Sequence, residues 1–298
     1  MNTTGAAAAA GGTDDGGVRH ARDETAGDGE VREAPDEAAA RYGDRYFNAS
    51  TTTTERTRLE ALAATFDPAT HAVLTSLGVT KGWRCLDVGA GLGTVATWLA
   101  DRVGEDGEVV ALDRNTHYLT ALNHPRVRTL EADITSPECA PGTYDLVHAR
   151  FVLMHLRDRD TILPRLATWL RPGGVLVLSD GVDTGTQHTN EAWRETMAKH
   201  WTAVTSEIGT NPHYARGYPA LLTDSGLESP GLKVTTPVIT ATSPYATFWR
   251  LTLTHLHPAI ATHTDLTDTT FKEALTYLTR PTTHDLAMSM FTSWATHP

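Results

Sequence analysis

Between Trp83 and Leu99 the chain reads WRCLDVGAGLGTVATWL, and this stretch leaves few choices of fold. Cys85-Leu86-Asp87-Val88 is a short apolar run of the length expected for a strand buried on both faces. Gly89, Gly91 and Gly93 follow, removing side chains where the backbone must bend sharply or lie against a ligand. Thr94 then opens a helical pattern through Val95, Trp98 and Leu99. Strand, glycine loop and helix in this order aim a helix N-terminus at whatever sits beyond the strand end.

The glycine spacing separates two ligand classes. A dinucleotide fingerprint is G-x-G-x-x-G, with a pyrophosphate on the helix dipole. Here the spacing is G-x-G-x-G, and Thr94 stands where the dinucleotide pattern has its third glycine. Asp87, two residues before the first glycine, would repel a pyrophosphate and attract an ammonium.

After this loop the chain alternates strand and helix. Glu108 to Asp113 reads as a second strand ending in an acid about twenty residues beyond the glycines, where doubly wound folds hold ribose hydroxyls. Val127 to Leu130 is a third strand, followed by Glu131-Ala132-Asp133-Ile134. Tyr144 to Ala149 is a fourth, and Gly173 to Asp180 enters a fifth. Such alternation implies parallel pairing with right-handed crossovers.

D-x-G-x-G-x-G from Asp87 resembles motif I of the class I S-adenosylmethionine-dependent methyltransferases. Asp113 is similar to the ribose-binding acid of that family, Asp133-Ile134 to its adenine-contacting pair, and Leu170-Arg171-Pro172-Gly173-Gly174 to the turn before its fifth strand. His148 to Leu156 is similar to the region after the fourth strand in bacterial small-molecule members. The resemblance covers residues 55–183. It implies an α/β fold, a Rossmann-like doubly wound seven-stranded sheet with the last strand antiparallel, N-terminal helices and an inserted helical cap. It also implies S-adenosylmethionine as cofactor, with S-adenosylhomocysteine as product, on Asp87, Gly89, Gly91, Gly93, Thr94, Asp113, Arg114, Asp133, Ile134, Ala149 and Arg150. Gly82 to Leu86, Asn211 to Arg216 and Phe248 to Leu253 look like an actinobacterial group that modifies specialised metabolites, including keto acids, amino acids, peptides and indole alkaloids. Ser179 and Asn211 depart from that group's usual acids.

Composition bounds the rest. The 298 residues carry a net charge of −11, which argues against nucleic-acid binding. The first forty residues hold nine acidic and three basic side chains and almost no large apolar ones, so residues 1–40 read as a disordered acidic tail. Residues 41–80 read as an N-terminal helical lid, with an aromatic cluster at Tyr42, Tyr46 and Phe47 and a new helix starting at Pro68. Residues 81–185 form the cofactor-binding core, 186–230 a helical cap, and 231–298 the completion of the sheet with inserted helices. Leu232 to Thr240 alternates as one strand, and Ala287 to Trp294 is the returning antiparallel strand. Two cysteines give no disulfide framework, and no apolar run has membrane-spanning length. A cytoplasmic protein is expected, with a homodimer as its assembly and a small molecule as its substrate.

Methyl transfer from a sulfonium is an in-line displacement, and the protein's work is orientation and, where needed, a positioned base. Asp180 at the end of the fifth strand, His155 and His213 are the candidates for that base. Arg216 suits a substrate carboxylate, and Tyr46, Trp201 and Trp249 suit the wall of an aromatic or apolar substrate. His155 also reads as a structural histidine, and the tryptophans as core. Fourteen histidines invite a metal, yet His255 and His257 diverge by about 200° on a helix, and no cluster has ligand spacing. No metal is expected. The expected activity is methylation of a small molecule in specialised biosynthesis, at carbon if the acceptor is an indole or keto-acid type. An NAD-dependent oxidoreductase and a non-catalytic cofactor-binding regulator are the alternatives.

Overall fold

The computed structural model describes residues 53–134, 143–184 and 189–298. The acidic tail, Tyr42, Tyr46 and Phe47 lie outside the described residues.

The first described element is helix α1, Thr53–Ser76, which runs unbroken through Pro68. The expected restart at Pro68 does not occur. Proline there forfeits one backbone hydrogen bond, and side chains on either side of it make up the loss. Arg150 reaches across from the sheet to Asp67 at 2.6 Å and Thr70 at 2.9 Å, bracketing the proline. Phe66, Val73 and Leu74 are buried along the same helix.

Strand β1, Arg84–Val88, is buried from Cys85 onward. It is followed by α2, Thr94–Val103, β2, Glu108–Asp113, and β3, Val127–Glu131. Then come β4, Tyr144–Arg150, α3, Arg159–Ala167, and the long β5, Leu170–Val182. Helices α4, Glu191–Ile208, and α5, Tyr218–Asp224, precede β6, Glu228–Thr235, and β7, Val238–Thr240. The chain ends with α6, Pro244–His263, α7, Asp268–Tyr277, β8, His284–Leu286, and β9, Ser289–Thr296.

Seven strands form one sheet in the order β3-β2-β1-β4-β5-β9-β6. The β1–β2, β1–β4, β2–β3 and β4–β5 pairs are parallel, and β9 runs antiparallel to both β5 and β6. This is the doubly wound sheet with one reversed strand that the sequence predicts. One expectation about the strands changes. The segment 232–240 divides between β6 in this sheet and β7, which pairs with β8 in a separate two-stranded ribbon. Pro237 breaks the run, because it has no N–H to give a ladder.

Strand alternation sends side chains to two cores. Cys85, Val109, Ala111, Leu146 and Val177 pack against Leu99 and Val103 of α2. Leu86, Val110, Val147 and Leu176 pack against α3 and α5 on the other face. Each such fully buried aliphatic side chain contributes about 1.5–3 kcal/mol.

A third cluster forms the cap. It draws Phe66 from α1, Trp193, Met197 and Trp201 from α4, Phe248, Trp249 and Leu253 from α6, and Phe271 from α7. The cap is therefore assembled from three separated chain segments and is not the contiguous unit expected at 186–230. Helix α5 within that range belongs to the sheet core through Tyr218 and Leu222. Among the described residues, no helix is long and apolar enough to cross a membrane.

Candidate active site

The carboxyl ends of β1, β2, β3 and β4 open into a cavity of about 750 Å³ roofed by α1, α4 and α6. Open α/β sheets bind ligands at this edge, and the volume suits a small-molecule site.

The glycine loop is bent by positive φ angles at Gly89, Gly91 and Gly93, of 66°, 56° and 73°. Its donors point at the end of β2. Gly89 and Ala90 both donate to the Leu112 carbonyl, at 2.8 and 3.1 Å, and Gly91 donates to the Asp113 carboxylate at 2.8 Å. Three successive N–H groups are thus committed within the protein, whereas a dinucleotide loop keeps such groups for a pyrophosphate. A Cβ at Gly91 would meet nothing nearer than 4.0 Å, while one at Gly93 would lie 2.3 Å from the Leu122 side chain. Gly91 is therefore required by its backbone conformation, and Gly93 also by packing; Gly93 does not line the cavity.

Asp113 accepts from the Gly91 N–H on one oxygen and from the Asn115 N–H on the other. Burial raises its carboxyl above the ordinary value, and these backbone donors oppose the rise. Asp113 lines the cavity together with Arg114, Ala132, Asp133 and Ile134. Arg114 lies 3.8 Å from Asp133, and Ile134 is buried. This combination of a carboxylate acceptor beside an apolar side chain and an exposed acid fits a ribose and a purine.

Asp87 is buried and paired with the His148 Nδ1 at 2.7 Å. The two residues face each other on adjacent strands. His148 Nε2 is buried without a hydrogen-bond partner, and both residues line the cavity. In the neutral tautomer that donates Nδ1–H to Asp87, the opposite nitrogen is an acceptor, which suits the ammonium of an amino-acid group. The expected Asp87–ammonium attraction is thus shared with an imidazole that the sequence reading did not select. Arg150 also lines the cavity, but its guanidinium clasps Asp67 and Thr70. Ala149 faces the sheet core instead.

At the far end the walls are Leu59 and Leu62 of α1, His200, Trp201 and Val204 of α4, Phe248, Trp249, Thr252 and Leu256 of α6, with Phe151, Met154, His155 and Met288. Trp201 and Trp249 meet edge to face at 5.9 Å, and His200 lies against both. Phe151 has a left-handed backbone, φ 55°, and packs edge to face on Phe66 at 5.2 Å. A non-glycine residue in that region is strained, and the tie between its N–H and the Ser179 carbonyl at 2.8 Å holds it there.

Of the three candidate bases, only His155 lines the cavity. Its Nδ1 lies 3.0 Å from the Thr210 hydroxyl, and burial lowers its pKa to about 3, so it is neutral at pH 7. Asp180 is buried behind the wall, where it accepts from the Met154 N–H at 3.0 Å and from the Tyr218 hydroxyl. Burial pushes its carboxyl up to about 7. It fixes the strand-end turn and does not reach the cavity. His213 and Arg216 are exposed and also lie off the cavity, because the short turn Tyr214–Gly217 directs Ala215 and Tyr218 inward. Trp201 and Trp249 both line the cavity. Glu55, Arg58, His148, Phe151, His200, Phe248 and Thr252 are wall residues absent from the sequence-derived site.

Residues 86–178 match the family model described as a methyltransferase domain. Around that match, the seven-stranded sheet with its single reversed strand is the Rossmann-like doubly wound architecture. Methyltransferase GfsG of Streptomyces halstedii is 31% identical over 178 residues, covering 57% of this chain and 62% of that one. Phosphoethanolamine N-methyltransferase 3 of Arabidopsis thaliana is 26% identical over 165 residues, covering 53% and 31%. The chain thus spans less than two thirds of the length of these relatives. Among solved structures, Haemonchus contortus phosphoethanolamine N-methyltransferase 2, in complex with phosphomonomethylethanolamine and S-adenosylhomocysteine, superposes with a TM-score of 0.54 at 18% identity. That alignment covers 85% of this chain and 59% of that chain, and it speaks to the fold.

Proposed function

We propose that this protein transfers a methyl group from S-adenosylmethionine to a small molecule of a specialised biosynthetic pathway. The observation that carries the reading is one continuous cavity in which Asp87, the glycine loop, Asp113 and Ile134 meet an aromatic chamber walled by Trp201 and Trp249. When bound, the cofactor supplies an electrophilic methyl group on a sulfonium.

The chain's own residues do the placing. Asp113 accepts from ribose hydroxyls, Ile134 covers a purine face, and the Asp87–His148 pair receives the amino-acid end. The cap excludes water and holds the acceptor in line with the methyl group, which is where most of the rate enhancement of such a displacement originates. His155, held neutral by burial, is a weak base. An activated carbon such as an indole C3 or the carbon beside a ketone suits this site, because it needs placement more than proton abstraction.

Calorimetric titration with S-adenosylhomocysteine, with NAD as control, tests the cofactor. Micromolar binding of the former alone is expected, and the reverse preference would replace the reading by an oxidoreductase. Transfer of labelled methyl to indoles and ketones then tests turnover, and absence of transfer across that panel despite cofactor binding would favour a non-catalytic cofactor-binding protein.

A further inference from the structure

The acceptor chamber contains polar atoms that the protein itself leaves unused. Trp201 Nε1, His200 Nδ1 and Thr252 Oγ1 are buried without a hydrogen-bond partner, in side chains 8%, 4% and 7% exposed, and all three residues line the cavity. Thr252 is the telling case. A threonine within a helix ordinarily bonds back to the carbonyl four residues earlier. On the same helix Thr254 does so to Arg250 at 2.7 Å and Thr262 to Pro258 at 2.9 Å. Thr252 makes no such bond, although burial would reward it. Buried polar groups are ordinarily satisfied, so orphans gathered on one cavity wall mark the place where a ligand satisfies them.

The charges on the same wall are committed. Arg58 holds Glu55 with two hydrogen bonds, at 2.8 and 2.7 Å, while lying over the Phe248 ring. Arg157 donates to the carbonyls of Ser206 and Glu207. Arg114 and Arg150 face Asp133 and Asp67. His155 and His200 are each kept neutral by burial, with a pKa near 3. Among the described residues, no cation on this wall lacks an internal partner for a phosphate or carboxylate to exploit.

We propose that the acceptor end selects an uncharged, largely apolar molecule carrying an oxygen acceptor, which receives hydrogen bonds from Trp201 Nε1 and Thr252 Oγ1, and that it rejects phosphorylated acceptors. This inference rests on the methyl-transfer reading and sharpens it. It favours ketone acceptors, including indoles that carry a carbonyl, over keto acids, whose carboxylate would lose its hydration without gaining a cation. It also separates this chamber from the phosphorylated ligand named for the Haemonchus structure.

The test is equilibrium dialysis of the full chain saturated with S-adenosylhomocysteine, using three probes: 2-acetylnaphthalene, its hydrocarbon counterpart 2-ethylnaphthalene, and phosphoethanolamine. The ketone should bind at least about ten-fold tighter than the hydrocarbon, and phosphoethanolamine should show no saturable binding. Thr252→Val, which keeps the shape and removes the donor, should bring the ketone to within about three-fold of the hydrocarbon while hydrocarbon binding and cofactor affinity stay unchanged. Trp201→Phe should act in the same direction. Saturable binding of phosphoethanolamine, equal affinities for ketone and hydrocarbon, an unchanged preference in Thr252→Val, or no binding of the ketone would each overturn the proposal. Failure of S-adenosylhomocysteine itself to bind would overturn the underlying reading, and the preceding titration detects that separately.

Discussion

The cofactor end of the cavity is assembled from the ends of four neighbouring strands, with its key groups tied to backbone: Gly91 to Asp113, Gly89 and Ala90 to Leu112. The acceptor end is assembled from α1, α4 and α6, which enter the wall from positions as far apart as Leu59 and Leu256, and it is held by aromatic side chains packed edge to face. One end is specified by local backbone geometry and by polar groups that satisfy one another apart from His148 Nε2. The other is specified by packing and leaves polar atoms unsatisfied. A ligand common to many proteins suits the first kind of construction, and a ligand peculiar to one protein suits the second, since side chains on helices change without disturbing the sheet.

The sharpest way to break this comparison is Trp249→Ala. Trp249 is among the largest fully buried side chains and touches Trp193, Trp201 and Phe248, so its loss should cost about 3–5 kcal/mol in denaturant unfolding. Folded protein should nevertheless bind S-adenosylhomocysteine with native affinity. A matching loss of cofactor binding would mean that the two ends are not separable.

Asp113→Ala probes the opposite end. Removing a charged acceptor of ribose hydroxyls should weaken S-adenosylhomocysteine binding by about 1.5–3 kcal/mol, read by calorimetry, with ketone-probe binding retained. Unchanged cofactor affinity would remove Asp113 from the site.

The pH dependence of stability separates the chamber histidines from the buried Asp180 carboxyl by sign. His155 and His200 have native pKa values lowered to about 3 from 6.5 by burial. Between these values the unfolded chain takes up protons that the native chain refuses, so stability falls as pH drops through that window. Asp180, raised from 3.8 to about 7, acts oppositely, because the native carboxyl holds a proton that the unfolded chain releases. At pH 5 these three groups should give a net uptake of about one proton on unfolding. His200→Gln should reduce that uptake by about one, measured from the slope of unfolding free energy against pH; an unchanged slope would mean that His200 is protonated in the native chamber.

The smallest effect concerns the clasp between α1 and the sheet. Asp67→Asn weakens a partly exposed ion pair with Arg150 and should cost about 1 kcal/mol, loosening α1 over both ends. A shift in cofactor affinity larger than the shift in stability would show that the clasp also positions Arg150 for the ligand.

The sequence was most readable where structure is local. The run Cys85 to Val88, the glycine spacing and the acid at Asp113 lie within thirty residues, and period and turn chemistry alone place them at consecutive strand ends. Pro68 misled because a breaker is a local signal, and the Arg150 clasp that carries α1 past it comes from more than eighty residues away. His148 was missed for a related reason. Its partner Asp87 is 61 residues earlier, and only the register of β1 with β4 brings them together. Asp180 lies near the end of β5, but whether its carboxylate faces the cavity or the turn behind it depends on the Tyr218 hydroxyl and the Met154 N–H.

By itself the sequence determined the sheet, its reversed final strand and the glycine loop and acids at the strand ends, because hydrophobic period, glycine conformation and strand-end acids act through bonds and near neighbours. Only the tertiary structure decided the acceptor chamber. Whether Trp201, His200 and Thr252 become core or wall depends on how three separate helices pack, and each helix offers the same apolar stripe for either outcome.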